Sequence, residues 1–181
     1  METFSKWFEN SKVVNEDGKP LIVYHGTNSP ENFKEFKLMG LDLGIHFGTH
    51  KQAECRFEKL GTNEFSRIIP VYLKIENPLE IEDIFGIPYA LFRKLSKDDD
   101  YDGYGILTSE ETDCIWDKYG EDFEESDFFE TKNDLEFYSD IMGFLQAKGY
   151  DGIKYLNDVE RKDSTSEYSW VVFKPEQVKI I

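Results

Sequence analysis

The chain reads as an α+β fold. Apolar, β-branched runs of strand length gather toward its two ends, and segments of helical periodicity gather between them. One further observation divides the chain: nearly all of the net negative charge sits in a single stretch, so an almost neutral body carries one acidic block. The 181 residues make one domain, with the block as an insertion at about residues 81–133. A composition of 39% hydrophobic and 32% charged residues is that of a packed, soluble chain.

The elements follow in order. Phe4, Trp7 and Phe8 recur at helical spacing and predict a short opening helix. Val13-Val14 leads into a turn over Asn15–Pro20. The unbroken apolar run Leu21–His25 predicts a buried strand, ended by Gly26-Thr27-Asn28-Ser29-Pro30, and a loop with Phe33 and Phe36 follows. Gly44–Thr49 predicts a second short strand, and residues 50–60 a helix with Ala53, Phe57 and Leu60 on one face. Ile69, Val71, Leu73 and Ile75 alternate as in a half-buried strand, which Asn77-Pro78 closes. Within the insertion, residues 88–96 and 109–119 predict short helices. Leu135, Tyr138, Ile141, Met142 and Leu145 fit a period of 3.6, with Gly149 at the place of a C-cap glycine. Strands are predicted at 152–156 and 170–173 and again at 178–181, with a polar loop over 158–166.

Charge and cysteine usage exclude several classes. Residues 98–140 hold 17 acids and two bases, Lys118 and Lys132, a net of −15, whereas the rest of the chain nets −1. Such a chain lacks the cationic footprint of a direct nucleic-acid binder. Cys55 and Cys114 make neither a disulfide framework nor a zinc cluster, which fits a reducing cytoplasm. No apolar run approaches the roughly 20 residues of a membrane-spanning helix. The first residues have neither the basic start nor the apolar stretch of a secretory signal.

Several local patterns carry chemistry. His25 ends an apolar strand beside Gly26-Thr27, where a ligand can approach the backbone; the pattern equally fits a histidine hydrogen-bonded at a sheet edge. Gly44-Ile45-His46-Phe47-Gly48 puts His46 and Phe47 on opposite faces of a strand, where either can lie under a planar ring, or can simply be a surface histidine and a core phenylalanine. His46 and His50 are four apart, but the first is on a predicted strand and no third ligand is apparent, so no metal site is expected. Asp98, Asp100, Asp102 and Gly103 open like a calcium-binding loop, yet its twelfth position is Ser109 and Glu110 comes one residue late; the segment reads as a solvated acidic turn. Asp158, Glu160, Asp163 and Glu167 cluster near Arg161 and Lys162, and one of these carboxylates is a candidate catalytic group.

Taken in order, five blocks resemble the ADP-ribosyltransferase superfamily, and within it the phage and bacterial domains of polyvalent and MuF-type proteins. They are Tyr24-His25-Gly26-Thr27, Gly44-Ile45-His46-Phe47 with a helix containing Ala53, Pro70-Val71-Tyr72-Leu73-Lys74-Ile75-Glu76-Asn77-Pro78-Leu79, Gly149-Tyr150-Asp151-Gly152-Ile153, and Trp170-Val171-Val172-Phe173 running on to Gln177-Val178. The likeness covers residues 4–80 and 141–181, and the acidic block falls in the gap. The resemblance implies two small antiparallel sheets forming an NAD⁺-binding cleft. It implies that His25 holds the nicotinamide-side ribose, Gly26 bonds the carboxamide through its backbone, and Thr27 contacts the same amide. Gly44, His46 and Phe47 belong to the second block, where His46 stands at the position of a tyrosine that stacks on the nicotinamide. A histidine there is similar to the RNA 2′-phosphotransferase branch, which also uses NAD⁺. At the glutamate position of the third motif this chain has Ser169, so Glu167 or Glu160 has to supply the carboxylate.

The implied activity is mono-ADP-ribosylation of a macromolecule, a protein with a basic surface, with NAD⁺ as donor and nicotinamide released. The cytoplasm is its place of action, that of a host if the chain is phage-encoded. Two other readings stand beside it: a catalytically silent domain of the same fold working through its acidic block, and a 2′-phosphotransferase-like enzyme. The second of these is disfavoured by the acidity of the chain and by the want of an arginine cluster for phosphate.

Overall fold

The computed structural model describes residues 3–30, 34–38, 42–82, 88–97, 103–125, 134–158, 160 and 167–181. The chain divides into two compact units, Met1–Leu38 with Gly44–Asp83 and Gly149–Ile181, and Met39–Leu43 with Ile84–Lys148. Among the described residues no helix is long and apolar enough to cross a membrane.

The first unit holds two sheets. β1 (Val23–Thr27), β3 (Arg67–Leu73) and β7 (Val178–Ile180) form a three-stranded antiparallel sheet in the order β1-β3-β7. β2 (Ile45–Phe47), β6 (Glu167–Val172), β5 (Gly152–Asn157) and β4 (Pro78–Ile81) form the second, in the order β2-β6-β5-β4. The strand alternation expected of Ile69, Val71 and Leu73 is the buried side of β3, and these residues meet Val23, Ile45, Phe47, Trp170 and Val172 in one core. α1 (Phe4–Phe8) lays Phe4 against Tyr72 of β3, ring centroids 4.8 Å apart.

Three expectations need correction. The strand expected over Leu21–His25 with Gly26-Thr27 as its end runs instead from Val23 to Thr27, because the ladder to β3 continues through Gly26↔Ile68 and Thr27↔Arg67. Pro78 does not close a strand but starts one: β4 was missed. It also runs parallel to β5, from Pro78↔Gly152 to Ile81↔Tyr155, so the second sheet is mixed. The physical reason lies in connectivity. The long chain between β4 and β5 is a crossover, and only a crossover lets neighbouring strands run the same way.

The two sheets are tied where the chain passes between them. The Asp151 carboxylate accepts from the Glu76 and Asn77 amides, both at 2.8 Å, just before β4. The Gln177 side chain donates to the carbonyls of Lys74 and Asp151 and accepts from the amides of Phe173 and Lys174. Asn77, Asp151 and Gln177 are thus clasps of the fold, although each lies in a block that carries the family resemblance.

The second unit is helical among its described residues. α3 (Pro88–Leu95), α4 (Ser109–Glu125) and α5 (Asp134–Ala147) pack around an aromatic cluster of Phe92, Trp116, Tyr119, Phe123 and Phe137. On α5 the buried residues are Phe137, Tyr138, Ile141 and Leu145; Leu135, expected on that face, is 60% exposed. It sits in the first turn of the helix, two residues before Phe137, which takes the buried place. Gly149 has φ +90° just beyond the helix end, the left-handed conformation its position predicted.

Candidate functional site

The candidate site is built in the first unit, where β1 meets the end of β2. Tyr24 and Gly48 exchange backbone hydrogen bonds of 2.8 and 3.0 Å and join the two sheets at one point. Backbone groups alternate in direction along a strand. Since Tyr24 turns its N–H and C=O away from β3, Gly26 two residues on turns its own the same way, past the point where the chain leaves β2 for α2 (His50–Leu60). A side chain at Gly26 would lie 2.9 Å from the Ala53 carbonyl oxygen and 3.4 Å from the Phe57 ring, so glycine is what lets α2 lie this close.

His25 approaches β2 along its edge. Its Nδ1 is 2.8 Å from the His46 carbonyl oxygen. A carbonyl only accepts, so Nδ1 carries the proton and Nε2 of the neutral ring is an acceptor. Phe36 packs edge-on against the ring at 5.2 Å and Phe47 lies tilted at 5.5 Å. Burial is the main cause that pushes the His25 pKa down, which holds the ring neutral at pH 7; the charge of Arg56 acts in the same direction.

The other candidates stand on the face of the second sheet opposite that of Ile45, Phe47, Trp170 and Val172. Opposed residues of antiparallel strands share a face, so His46 (opposite Val171), Tyr155 (opposite Ser169) and Asn157 (opposite Glu167) lie together with Glu167 and Ser169. His46 Nδ1 is 3.1 Å from the Tyr155 hydroxyl. The Thr49 hydroxyl, which also caps α2, donates to Glu167 Oε2 at 2.7 Å. Gln52, 3% exposed, accepts from the Thr49 amide and the Ser169 hydroxyl and donates to the Glu167 carbonyl. Asn157 Nδ2 lies 3.1 Å from both Ser169 Oγ and Glu160 Oε2. Glu160 also faces Arg56 at 4.0 Å. Gln52, Asn157 and Ser169 are the buried members of this row and are hydrogen-bonded, as buried polar groups must be, whereas the buried Nε2 of His46 makes no hydrogen bond among the described residues.

The expected residues therefore divide. His25, Gly26, His46, Glu167 and Glu160 come together around the β1–β2 junction and the start of β6. Phe47 lies in the core, 2% exposed. Gly44, at φ +83°, lies against the Val172 carbonyl. Ser169 is 1% exposed, its hydroxyl engaged by Gln52 and Asn157. Thr27 Oγ1 accepts from the Ser29 amide. His50 faces Glu54 at 3.4 Å on α2, one turn on from β2. Asp98, Asp100, Asp102, Arg161, Lys162 and Asp163 lie outside the described residues, as does Phe33.

Sequence reasoning missed Thr49, Gln52, Tyr155, Asn157 and Arg56. A signal existed for the first two: Thr49-x-x-Gln52 ahead of a helix is the spacing of a capping box, which the structure forms in full. Nothing local marked the other three.

The family described as "ADP-Ribosyltransferase in polyvalent proteins" matches residues 15–181, and the chain belongs to it. No curated protein matches the chain. Among solved structures, one described as "Crystal structure of an anti-CRISPR protein" is similar at 14% identity and a TM-score of 0.40, with 89% of this chain and 95% of that one covered.

Proposed function

We propose that the chain is a mono-ADP-ribosyltransferase that uses NAD⁺ as donor and a protein as acceptor. The observation that carries the reading is the state of His25. Bonded through Nδ1 to the His46 carbonyl and kept neutral by burial, it offers Nε2 as an acceptor beside the outward-turned peptide of Gly26. A ribose hydroxyl donates to such a nitrogen, and a carboxamide both donates to and accepts from such a peptide edge.

The chemistry asks for three things. The bond between the nicotinamide nitrogen and ribose C1 breaks, positive charge develops on the ribose, and a nucleophile of the acceptor forms the new bond at C1 while losing its proton. His25 and Gly26 orient the donor. His46 supplies a flat ring for the leaving group. Glu167, held by Thr49 on the face His46 shares, is the carboxylate that offsets the developing charge and receives the proton. Glu160 is engaged by Asn157 and Arg56 and serves as support.

The acceptor has a basic surface, steered by the acidic stretch 98–140, and the reaction takes place in the cytoplasm. A second reading has one observation behind it: Ser169, at the place of the third-motif carboxylate, is buried and bonded, as in a silent binding domain.

Nicotinamide release from NAD⁺ tests the proposal, measured with and without cell lysate beside His25→Ala and Glu167→Gln. Release is expected to fall at least about a hundredfold in each variant, to rise with lysate, and to lose that rise in high salt. Absence of release from the unmodified protein, with no thermal shift on adding NAD⁺, would favour the silent domain.

A further inference from the structure

We propose that Tyr155 is a positioning residue whose hydroxyl donates to Nδ1 of His46 and thereby holds that imidazole in its Nε2–H form and in one plane.

The two residues are brought together by register, not by sequence. Tyr155 stands opposite Ser169 and His46 opposite Val171, so they lie on one face, on either side of β6 and offset by two residues. Both side chains reach over β6, and the rings meet at 5.9 Å with planes 74° apart and the hydroxyl 3.1 Å from Nδ1. Tyr155 is 5% exposed, so its hydroxyl must find its partner inside the protein. A phenol is an effective donor and a neutral imidazole nitrogen an effective acceptor, which places the His46 proton on Nε2.

The neighbouring histidine is set the other way. His25 meets a carbonyl, which demands the Nδ1–H form. Two histidines of one site are thus fixed in opposite tautomers by different partners, a carbonyl for His25 and a hydroxyl for His46. His46 Nε2 is itself buried and makes no hydrogen bond among the described residues, so its proton is held by the Tyr155 contact at Nδ1 and not by an acceptor of its own. What the residue offers outward is therefore a ring surface rather than a nitrogen. Under the ADP-ribosyltransferase reading, on which this functional consequence rests, that surface is the platform for the nicotinamide ring, and Tyr155 fixes its angle.

The test is Tyr155→Phe, which keeps the aromatic packing and removes only the hydroxyl. The first readout is the nitrogen-15 NMR spectrum of the histidines in the protein alone. The unmodified protein is expected to show His46 as Nε2–H and His25 as Nδ1–H. In Tyr155→Phe the His46 signals move toward a mixture of tautomers and those of His25 stay. The second readout is steady-state kinetics with NAD⁺: KM is expected to rise about fivefold, with kcat changed much less. In a His46→Phe background, adding Tyr155→Phe should change KM no further. Unchanged His46 signals in Tyr155→Phe would overturn the proposal, and so would a full fivefold effect persisting without His46. If the tautomer responds but the unmodified protein does not turn over NAD⁺, the positioning contact stands and the enzymatic reading fails.

Discussion

The two compact units bury different things. The first encloses an aliphatic and aromatic core and, beside it, a row of polar side chains, Gln52, Asn157 and Ser169, each 3% exposed or less. The second encloses leucine and isoleucine side chains together with aromatic rings, and its ion pairs are exposed or half-buried: Lys118 meets Glu136 at 2.8 Å and Asp140 at 2.7 Å, and Lys148 meets Glu111 at 2.7 Å. Its one buried polar residue among those described, Ser96, lies just past α3 and bonds back to the Phe92 carbonyl. The contrast shows where a reaction centre can be held. Buried polar groups act at low dielectric and in fixed directions, so a lost partner costs much. Exposed ion pairs on a helix surface are screened and replaceable.

Removing a buried partner is the largest way to break this comparison. Gln52→Leu leaves the Ser169 hydroxyl, the Thr49 amide and the Glu167 carbonyl each short of a bond. We expect about 2–3 kcal/mol of lost stability in urea denaturation. A loss under about 0.5 kcal/mol would mean that water replaces the amide and that the row is not a closed network.

The matching change in the second unit is Tyr119→Phe. Its hydroxyl donates to Asp140 at 2.8 Å, and burial is the main reason its pKa is pushed up to about 12. A cost of about 1 kcal/mol is expected in the same assay, smaller than for Gln52 because Asp140 retains Lys118. If the two substitutions cost the same, the distinction between the units fails.

The smallest effect sharpens the comparison by pH. Burial lowers the His25 pKa in the folded chain, so the unfolded chain binds more protons near and below the ordinary histidine value of 6.5. Stability attributable to His25 is therefore complete above that value and is lost as pH falls through it. The urea midpoint of the unmodified protein should drop more between pH 7.5 and 5.5 than that of His25→Gln. Equal drops would show that His25 takes up its proton as easily folded as unfolded.

Legibility in the sequence followed the range of each interaction. β3 announced itself because Ile69, Val71 and Leu73 alternate and all three point into one core. α5 was visible from its period, though Leu135 misled because periodicity does not say which turn the core reaches. β4 went unread: Asn77-Pro78 looks like a stop, and a proline can equally be the first residue of an edge strand. His25, Gly26 and His46 were found because a histidine beside glycine in an apolar run is a local pattern, although Gly26 continues β1 rather than ending it. Glu167 could be named only as an equal alternative to Glu160, because its distinction is the Thr49 hydroxyl, 118 positions away.

The amino-acid sequence alone determined the helices and every strand but β4, where the acidic charge lies, and which histidines stand on strands beside glycine. These follow from period, residue shape and turn chemistry, all properties of a few consecutive residues. Only the tertiary structure decided that β4 runs parallel to β5, that Tyr155 reaches His46 across β6, and that Thr49 and Gln52 hold the start of β6 at Glu167. Those depend on strand order and register. A one-residue slip would turn Tyr155, Asn157, Glu167 and Ser169 to the opposite face, and no local pattern records that choice.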